Sequence, residues 1–236
     1  MEHPIMNRKL RLLMYLFLIT FGSLFRTNAQ DWANLNKYTE ANKMIDSTSS
    51  LQNRVVFMGN SITEGWVTND PDFFTENNII GRGISGQTTP QMLLRFRQDV
   101  IDLNPQVVVI LAGTNDIAGN TGPMTEAQIV GNIISMAELA EANSIKVIIA
   151  SILPAEKYPW KPEVESIEPI KRINNQLQAY AERKEFIYLD YYSAMVNASF
   201  GIKDPLSYDG VHPTLAGYKV MEPLALKAIE SALKSS

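Results

Sequence analysis

Four short apolar runs punctuate the chain, at residues 55–58, 107–111, 146–150 (centred on Val147-Ile148-Ile149) and 186–189, and a weaker fifth covers 79–84. Continuous β-branched runs of this length, bounded by Gly, Pro or Asn, predict strands buried on both faces of a parallel sheet.

Helical spacing fills the gaps. Thr125-Glu126-Ala127-Gln128 has the form of a capping box, and Ile129, Ile133, Met136 and Ala140 follow at intervals that share one helix face. A second helix is expected over 168–184, with Ile170, Ile173, Leu177 and Tyr180 on its apolar side. Thr89-Pro90 opens another, carrying Met92, Leu93 and Phe96, because a first-turn proline gives up no hydrogen bond. Pro213 is expected to start the C-terminal helix in the same way, and Pro223 to kink or divide it near Met221 into two pieces. Residues 32–45 read as an N-terminal helix outside the sheet, and 151–166 as a long proline-rich loop. Strands alternating with helices imply parallel pairing through right-handed crossovers, hence an α/β class, three-layer α/β/α sandwich.

The first 29 residues follow a different pattern. Arg8, Lys9 and Arg11 precede an apolar stretch over 12–25, and Thr27-Asn28-Ala29 supplies small residues after it. This is the layout of a cleavable signal peptide, and about 14 apolar residues fall short of the roughly 20 that span a bilayer. The expectation is an exported protein, periplasmic or secreted, whose single domain covers 30–236 and makes no stable membrane insertion after cleavage. Cleavage would move the formal charge from −4 to −7, which disfavours nucleic acid and anionic surfaces as partners. With no cysteine in the chain there is no disulfide framework. Of the two histidines, His3 lies in the leader, so His212 is the sole imidazole left and multi-histidine metal chemistry is excluded.

Four segments carry candidate chemistry. Ser61 stands directly after the first strand run, where ligand sites of open α/β sheets lie, although a serine there can equally cap a helix. The glycine-rich stretch 81–89 (Gly-Arg-Gly-Ile-Ser-Gly-Gln-Thr-Thr) can offer backbone N–H groups to an anion or a developing oxyanion, or be a plain tight turn; it lacks the Gly-Lys-Ser/Thr ending of a phosphate-binding loop. Asn115 follows the third apolar run in Gly113-Thr114-Asn115-Asp116 and can point an amide N–H into the same crevice, or belong to an ordinary Asn-Asp turn. In Asp209-Gly210-Val211-His212, a three-residue separation lets a carboxylate reach one imidazole nitrogen while the other faces a nucleophile. Together these supply nucleophile, base, orienting acid and oxyanion donors, the parts of an acyl-transfer site.

In this order the four segments resemble the blocks of the SGNH (GDSL-like) hydrolase family, with closest likeness to its platelet-activating-factor acetylhydrolase-like branch, over most of residues 54–220. The resemblance implies Ser61 as nucleophile, His212 as base, Asp209 as its partner, and an oxyanion hole of the Ser61 and Gly86 N–H groups with the Asn115 side chain. It also implies a flavodoxin-like sandwich around five parallel strands, no cofactor and no metal. Asn60 departs from the aspartate that the family's Gly-Asp-Ser-Leu name records; that side chain is not among the catalytic groups.

The expected function is a serine esterase removing a short acyl group from a small-molecule or carbohydrate ester, O-acetyl sugars foremost. Lysophospholipase or thioesterase action, and a non-catalytic carbohydrate-binding protein, are the alternatives. Trp66, Tyr158 and Trp160 are candidates to line an acyl pocket or stack on a sugar, or else to anchor the loop against the sheet. Arg82 is either a substrate contact or a solvated charge. Oligomeric state is left open by the sequence.

Overall fold

The computed structural model describes residues 7, 9, 31–48 and 53–234. The signal-peptide expectation for 1–29 therefore lies, but for two positions, outside the described residues. Contacts divide the chain after Trp32, and residues 33–236 form one compact unit.

Within that unit the elements run in this order: α1 (Thr39–Thr48), β1 (Val55–Gly59), α2 (Ser61–Asn69), α3 (Pro71–Glu76), β2 (Ile79–Gly83), α4 (Thr89–Asp99), β3 (Val107–Leu111), α5 (Thr114–Ile117), α6 (Glu126–Ala142), β4 (Lys146–Ala150), α7 (Ile167–Arg183), β5 (Ile187–Leu189), α8 (Tyr191–Met195) and α9 (Leu215–Lys234). The five strands are all parallel, in the order β2-β1-β3-β4-β5. Each apolar run became a strand, and the fold is the expected three-layer sandwich.

Alternation along the strands makes two cores. Val56, Met58, Val108, Ile110 and Ile149 face α4, α6 and α7 through Phe96, Ile133 and Leu177. Val55, Phe57, Val109 and Ile148 face the opposite layer through Trp66, Phe73, Tyr218 and Met221. The strand order reverses between β1 and β3, and in open α/β sheets that switch point opens a crevice at the strands' carboxyl ends.

Two glycines allow α2 to sit close to that crevice. Gly59 pairs with Gly83 across β1 and β2. A Cβ on Gly59 would lie 2.1 Å from Thr63 Oγ1, and one on Gly83 would lie 2.2 Å from the Glu64 backbone nitrogen.

Three helix expectations need correction. Residues 31–38 are turns, with α1 starting only at Thr39. Asn34 takes a left-handed φ of 53°, and Gln87 Nε2 donates to the Ala33 carbonyl at 2.6 Å, a bond from outside the segment in place of a helical ladder. Pro213 lies outside α9, which is instead capped by Thr214, whose Oγ1 accepts from the Gly217 N–H at 3.2 Å. Pro223 does not divide that helix, which runs unbroken for 20 residues. The proline is on the exposed face, as is Lys219 one turn earlier, so the carbonyl it orphans is open to water while Met221, Ala225 and Ile229 hold the other face in the core.

Candidate active site

Ser61 is the first residue of α2. Asn60 caps that helix, its Oδ1 accepting from the Ile62 N–H at 3.0 Å. An asparagine caps as well as an aspartate, so the departure at Asn60 keeps the local structure. Position at the helix start leaves the Ser61 N–H without an intrahelical acceptor.

From 151 residues away, His212 Nε2 lies 2.8 Å from Ser61 Oγ. The Asp209 carboxylate holds the ring from behind: Oδ2 accepts from Nδ1 at 2.7 Å, while Oδ1 accepts from the backbone N–H groups of Val211 (2.9 Å) and His212 (2.8 Å). Gly210, at φ 87°, makes the turn. Ser207 ties it off, its Oγ donating to the His212 carbonyl at 2.7 Å and accepting from the Gly210 N–H at 2.9 Å. Burial pushes the Asp209 carboxyl up, but the donors from His212 and Val211 outweigh it and hold the group below the ordinary carboxylate range. An ionised Asp209 fixes the proton on Nδ1 and leaves Nε2 as the acceptor for the serine proton.

Two further donors border the serine. Gly86, at φ 77°, has open space where a side chain would be, and among the described residues no protein acceptor takes its N–H. Asn115 Nδ2 spends one hydrogen on the Gln87 carbonyl at 2.9 Å, leaving the second for the crevice. Its neighbour Asp116 secures the same loop: Oδ1 accepts from the Thr89 N–H at 2.8 Å and from Thr89 Oγ1 at 2.6 Å.

These groups surround a pocket of about 510 Å³ lined by Ser61, Glu64, Gly65, Thr68, Asn69, Ser85, Gly86, Asn115, Asn120, Trp160, Tyr208 and His212. Of the three aromatic candidates, only Trp160 reaches it. Trp66 and Tyr158 are wholly buried, which overturns their assignment as a substrate surface. Trp66 stacks on Phe73 (5.1 Å) and Tyr218 (5.2 Å), pinning α2 to α9. Tyr158 instead packs beneath Trp160, ring centroids 5.4 Å apart.

Arg82 is neither a substrate contact nor a solvated charge. It is buried over the Tyr38 ring at 4.6 Å, with Nε donating to Asn42 Oδ1 at 2.9 Å. Arg95, unremarked in the sequence, is fully buried behind the site and donates to the Gly59 and Arg82 carbonyls (both 2.9 Å) and to Gln87 Oε1 (2.6 Å). It thereby fastens the ends of β1 and β2 to the loop that carries Gly86.

Sequence reasoning also missed Glu64, Asn120 and Tyr208. Tyr208 is exposed and stacks on the His212 ring (5.7 Å, 13°). Asn120 accepts from Trp160 Nε1 at 3.0 Å and donates to the Gly86 carbonyl at 3.3 Å. Asn120 and Tyr208 are polar loop residues and Glu64 is a polar residue in the first turn of α2, so none carries an apolar periodic signal that would have marked it.

A parallel α/β sandwich with a Ser-His-Asp hydrogen-bond chain at the switch point is the architecture of a hydrolase. The chain belongs to the GDSL-like lipase/acylhydrolase family, whose model matches residues 57–220, and is a carboxylic ester hydrolase. It is similar to a solved GDSL-like lipase of Bacteroides thetaiotaomicron, 50% identical with a TM-score of 0.82 over 85% of this chain and 98% of that one. It is 29% identical to the esterase TesA of Pseudomonas aeruginosa, over 75% of this chain and 82% of the relative. The branch likeness has a counterpart in a Drosophila melanogaster platelet-activating factor acetylhydrolase IB subunit beta homolog, 24% identical over 72% of this chain and 75% of the relative. Among the described residues no helix is long and apolar enough to cross a membrane.

Proposed function

We propose that the protein is a serine esterase that hydrolyses short-chain carboxylic esters, with O-acetyl groups on carbohydrate as its substrates. The observation that carries this reading is the unbroken chain from Ser61 Oγ to His212 (2.8 Å) to Asp209 (2.7 Å) at the wall of the pocket. His212 takes the Ser61 proton as the hydroxyl attacks the ester carbonyl, and the tetrahedral oxygen accepts from the Ser61 and Gly86 N–H groups and Asn115 Nδ2. Collapse expels the alcohol, protonated by His212, and leaves an acyl-enzyme. Water, deprotonated by the same imidazole, then releases the acid.

The lining supports a short acyl group and a polar alcohol. Among the described residues it holds no aliphatic side chain that a long acyl tail could bury against, and no lysine or arginine for a phosphate group. Trp160 offers an apolar face beside His212, at 5.9 Å between ring centroids, with Asn69 and Asn120 as hydroxyl partners along the wall. The signal-peptide pattern over 1–29 supports an exported protein, periplasmic or secreted; N-terminal sequencing of the mature protein is expected to begin at Gln30.

The test is hydrolysis of p-nitrophenyl acetate, butyrate, octanoate and palmitate, and of an acetylated xylooligosaccharide, by wild type and Ser61→Ala. Activity confined to the short esters and the sugar, and abolished in the variant, is the expected result. Preference for octanoate or palmitate would sink the short-acyl reading, and Ser61-independent turnover would sink the mechanism.

A further inference from the structure

Glu64 lies one turn after Ser61 on α2 and faces the pocket. Its Oε2 accepts from both the Ser85 N–H (2.8 Å) and Ser85 Oγ (2.6 Å), and its Oε1 accepts from Lys37 Nζ at 2.7 Å. Thus the helix that begins with the serine also grips the residue next to Gly86. A carboxylate that takes the Ser85 N–H fixes the Ile84–Ser85 peptide plane, and its second bond, from Ser85 Oγ, holds that residue from its side chain, so the chain enters the next peptide, which carries the Gly86 N–H, from a fixed position. Gly86 has no side chain and a left-handed φ, so nothing of its own restrains it.

The segment before α1 braces the same place. Tyr38 donates its hydroxyl proton to the Gly83 carbonyl, Gln87 Nε2 reaches the Ala33 carbonyl at 2.6 Å, and Lys37 closes on Glu64. Ionic and hydrogen-bonded partners together keep Glu64 ionised: burial pushes its carboxyl up, and Lys37 and Ser85 draw it lower still.

We propose that Glu64, braced by Lys37, is a positioning residue that sets the Gly86 N–H against the oxygen of the tetrahedral intermediate. The proposal rests on the esterase reading above and adds a group that touches neither the acyl carbon nor the imidazole. Its action is confined to the transition state, because the ground-state ester carbonyl carries little of the charge the N–H is aimed at.

The experiment compares wild type, Glu64→Ala, Glu64→Gln, Ser85→Ala and Lys37→Ala in p-nitrophenyl acetate kinetics and in binding of a methyl trifluoromethyl ketone. Ser61 adds to that ketone, its proton passes to His212, and the resulting alkoxide occupies the oxyanion hole. Loss of a single oxyanion donor costs about 100- to 1,000-fold, so a misaimed one is expected to cost about 10- to 100-fold. Glu64→Ala should lower kcat by that factor with KM within about two-fold, and weaken the ketone by the same factor. Glu64→Gln keeps an acceptor for Ser85 and should recover most of the loss. Ser85→Ala should fall between them, and Lys37→Ala should have no further effect in a Glu64→Ala background. An unchanged kcat in folded Glu64→Ala, or a kcat loss without a matching loss of ketone affinity, would overturn the proposal. If Glu64→Ala does not fold, equal activity of Ser85→Ala, Glu64→Gln and wild type would overturn it as well. A wild type that turns over none of the esters, yet binds the ketone in a Glu64-dependent way, would retain the clamp and lose the short-ester assignment.

Discussion

Asn120 is hydrogen-bonded to Trp160 across the mouth of the pocket: the indole Nε1 donates to the Asn120 side-chain oxygen at 3.0 Å. The same amide donates to the Gly86 carbonyl at 3.3 Å, so one side chain ties the exposed indole to the loop that carries Gly86. Removing it frees a half-exposed ring that owes its orientation to that bond and to Tyr158 beneath. A hydrogen bond of this kind is worth about 0.5–1.5 kcal/mol, so Asn120→Ala should lose several-fold in kcat/KM. Trp160→Ala should lose more on the acetylated sugar than on p-nitrophenyl acetate. Adding Asn120→Ala to Trp160→Ala should then cost less than it does in wild type, as contacting groups are non-additive. Full additivity in steady-state kinetics would dissolve the link.

Asn115 is asked to do two things with one amide, holding the Gln87 carbonyl at 2.9 Å and stabilising the intermediate. Asn115→Ala should reduce kcat by about 100- to 1,000-fold while circular dichroism shows an intact fold. Near-normal turnover would remove Asn115 from the oxyanion hole.

Ser61 and His212 act as one unit if the 2.8 Å contact between them is the catalytic one. The double variant Ser61→Ala/His212→Ala should therefore be about as slow as either single variant. Losses that multiply, measured by kcat/KM on p-nitrophenyl acetate, would break the shared mechanism.

The sheet was legible in the sequence because β-branched runs such as Val107–Leu111 are too short for a buried helix and suit a strand covered on both faces. Helix α2 was not, since Ser-Ile-Thr-Glu-Gly-Trp-Val-Thr-Asn is poor in helix formers and is held by the Asn60 cap and by Trp66 in the core. The misreading of Trp66 had an available remedy: Ile62 and Trp66 stand four apart, the spacing of one helix face, and both are buried. Ser61, Gly86, Asn115, Asp209 and His212 could be picked out because each occupies a strand end or a tight motif. Glu64 and Asn120 could not, as their roles exist only through Ser85, Gly86 and Trp160, partners set by the fold rather than by spacing.

Pro223 sits in the exposed interior of α9, where a proline costs roughly 3 kcal/mol relative to alanine. Its restriction of the unfolded chain returns about 0.4–1 kcal/mol. Pro223→Ala restores the bond to the Lys219 carbonyl and should stabilise the protein by about 2–2.6 kcal/mol in denaturant titrations, with esterase activity unchanged. A loss of stability would mean that a bend at Pro223 is needed for packing on the sheet.

Asp116 gives stability a pH dependence of opposite sign to that of Asp209. Burial pushes its carboxyl from 3.8 to about 6, against the pull of the Thr89 donors, and Oδ2 has no partner among the described residues. An acid whose pKa is higher folded than unfolded binds its proton more tightly in the folded state. Its penalty is therefore absent below about pH 4, grows as pH rises through 4 to 6, and is complete above 6. At 1.36 kcal/mol per pH unit, the rise to about 6 amounts to about 3 kcal/mol. Asp116→Asn keeps an oxygen for Thr89 and has no charge to bury. Whatever constant cost its amide brings, the stability difference between variant and wild type should shift by about 3 kcal/mol in the variant's favour between pH 4 and pH 7. Asp209, held below the ordinary range, does the reverse: its ionised form contributes stability that is lost as pH falls through its folded pKa. Denaturant midpoints at half-unit intervals separate the two groups, because only the Asp116 contribution disappears from the wild-type minus Asp116→Asn difference. A difference that stays flat with pH would show that Asp116 ionises as readily in the folded protein as in the unfolded chain.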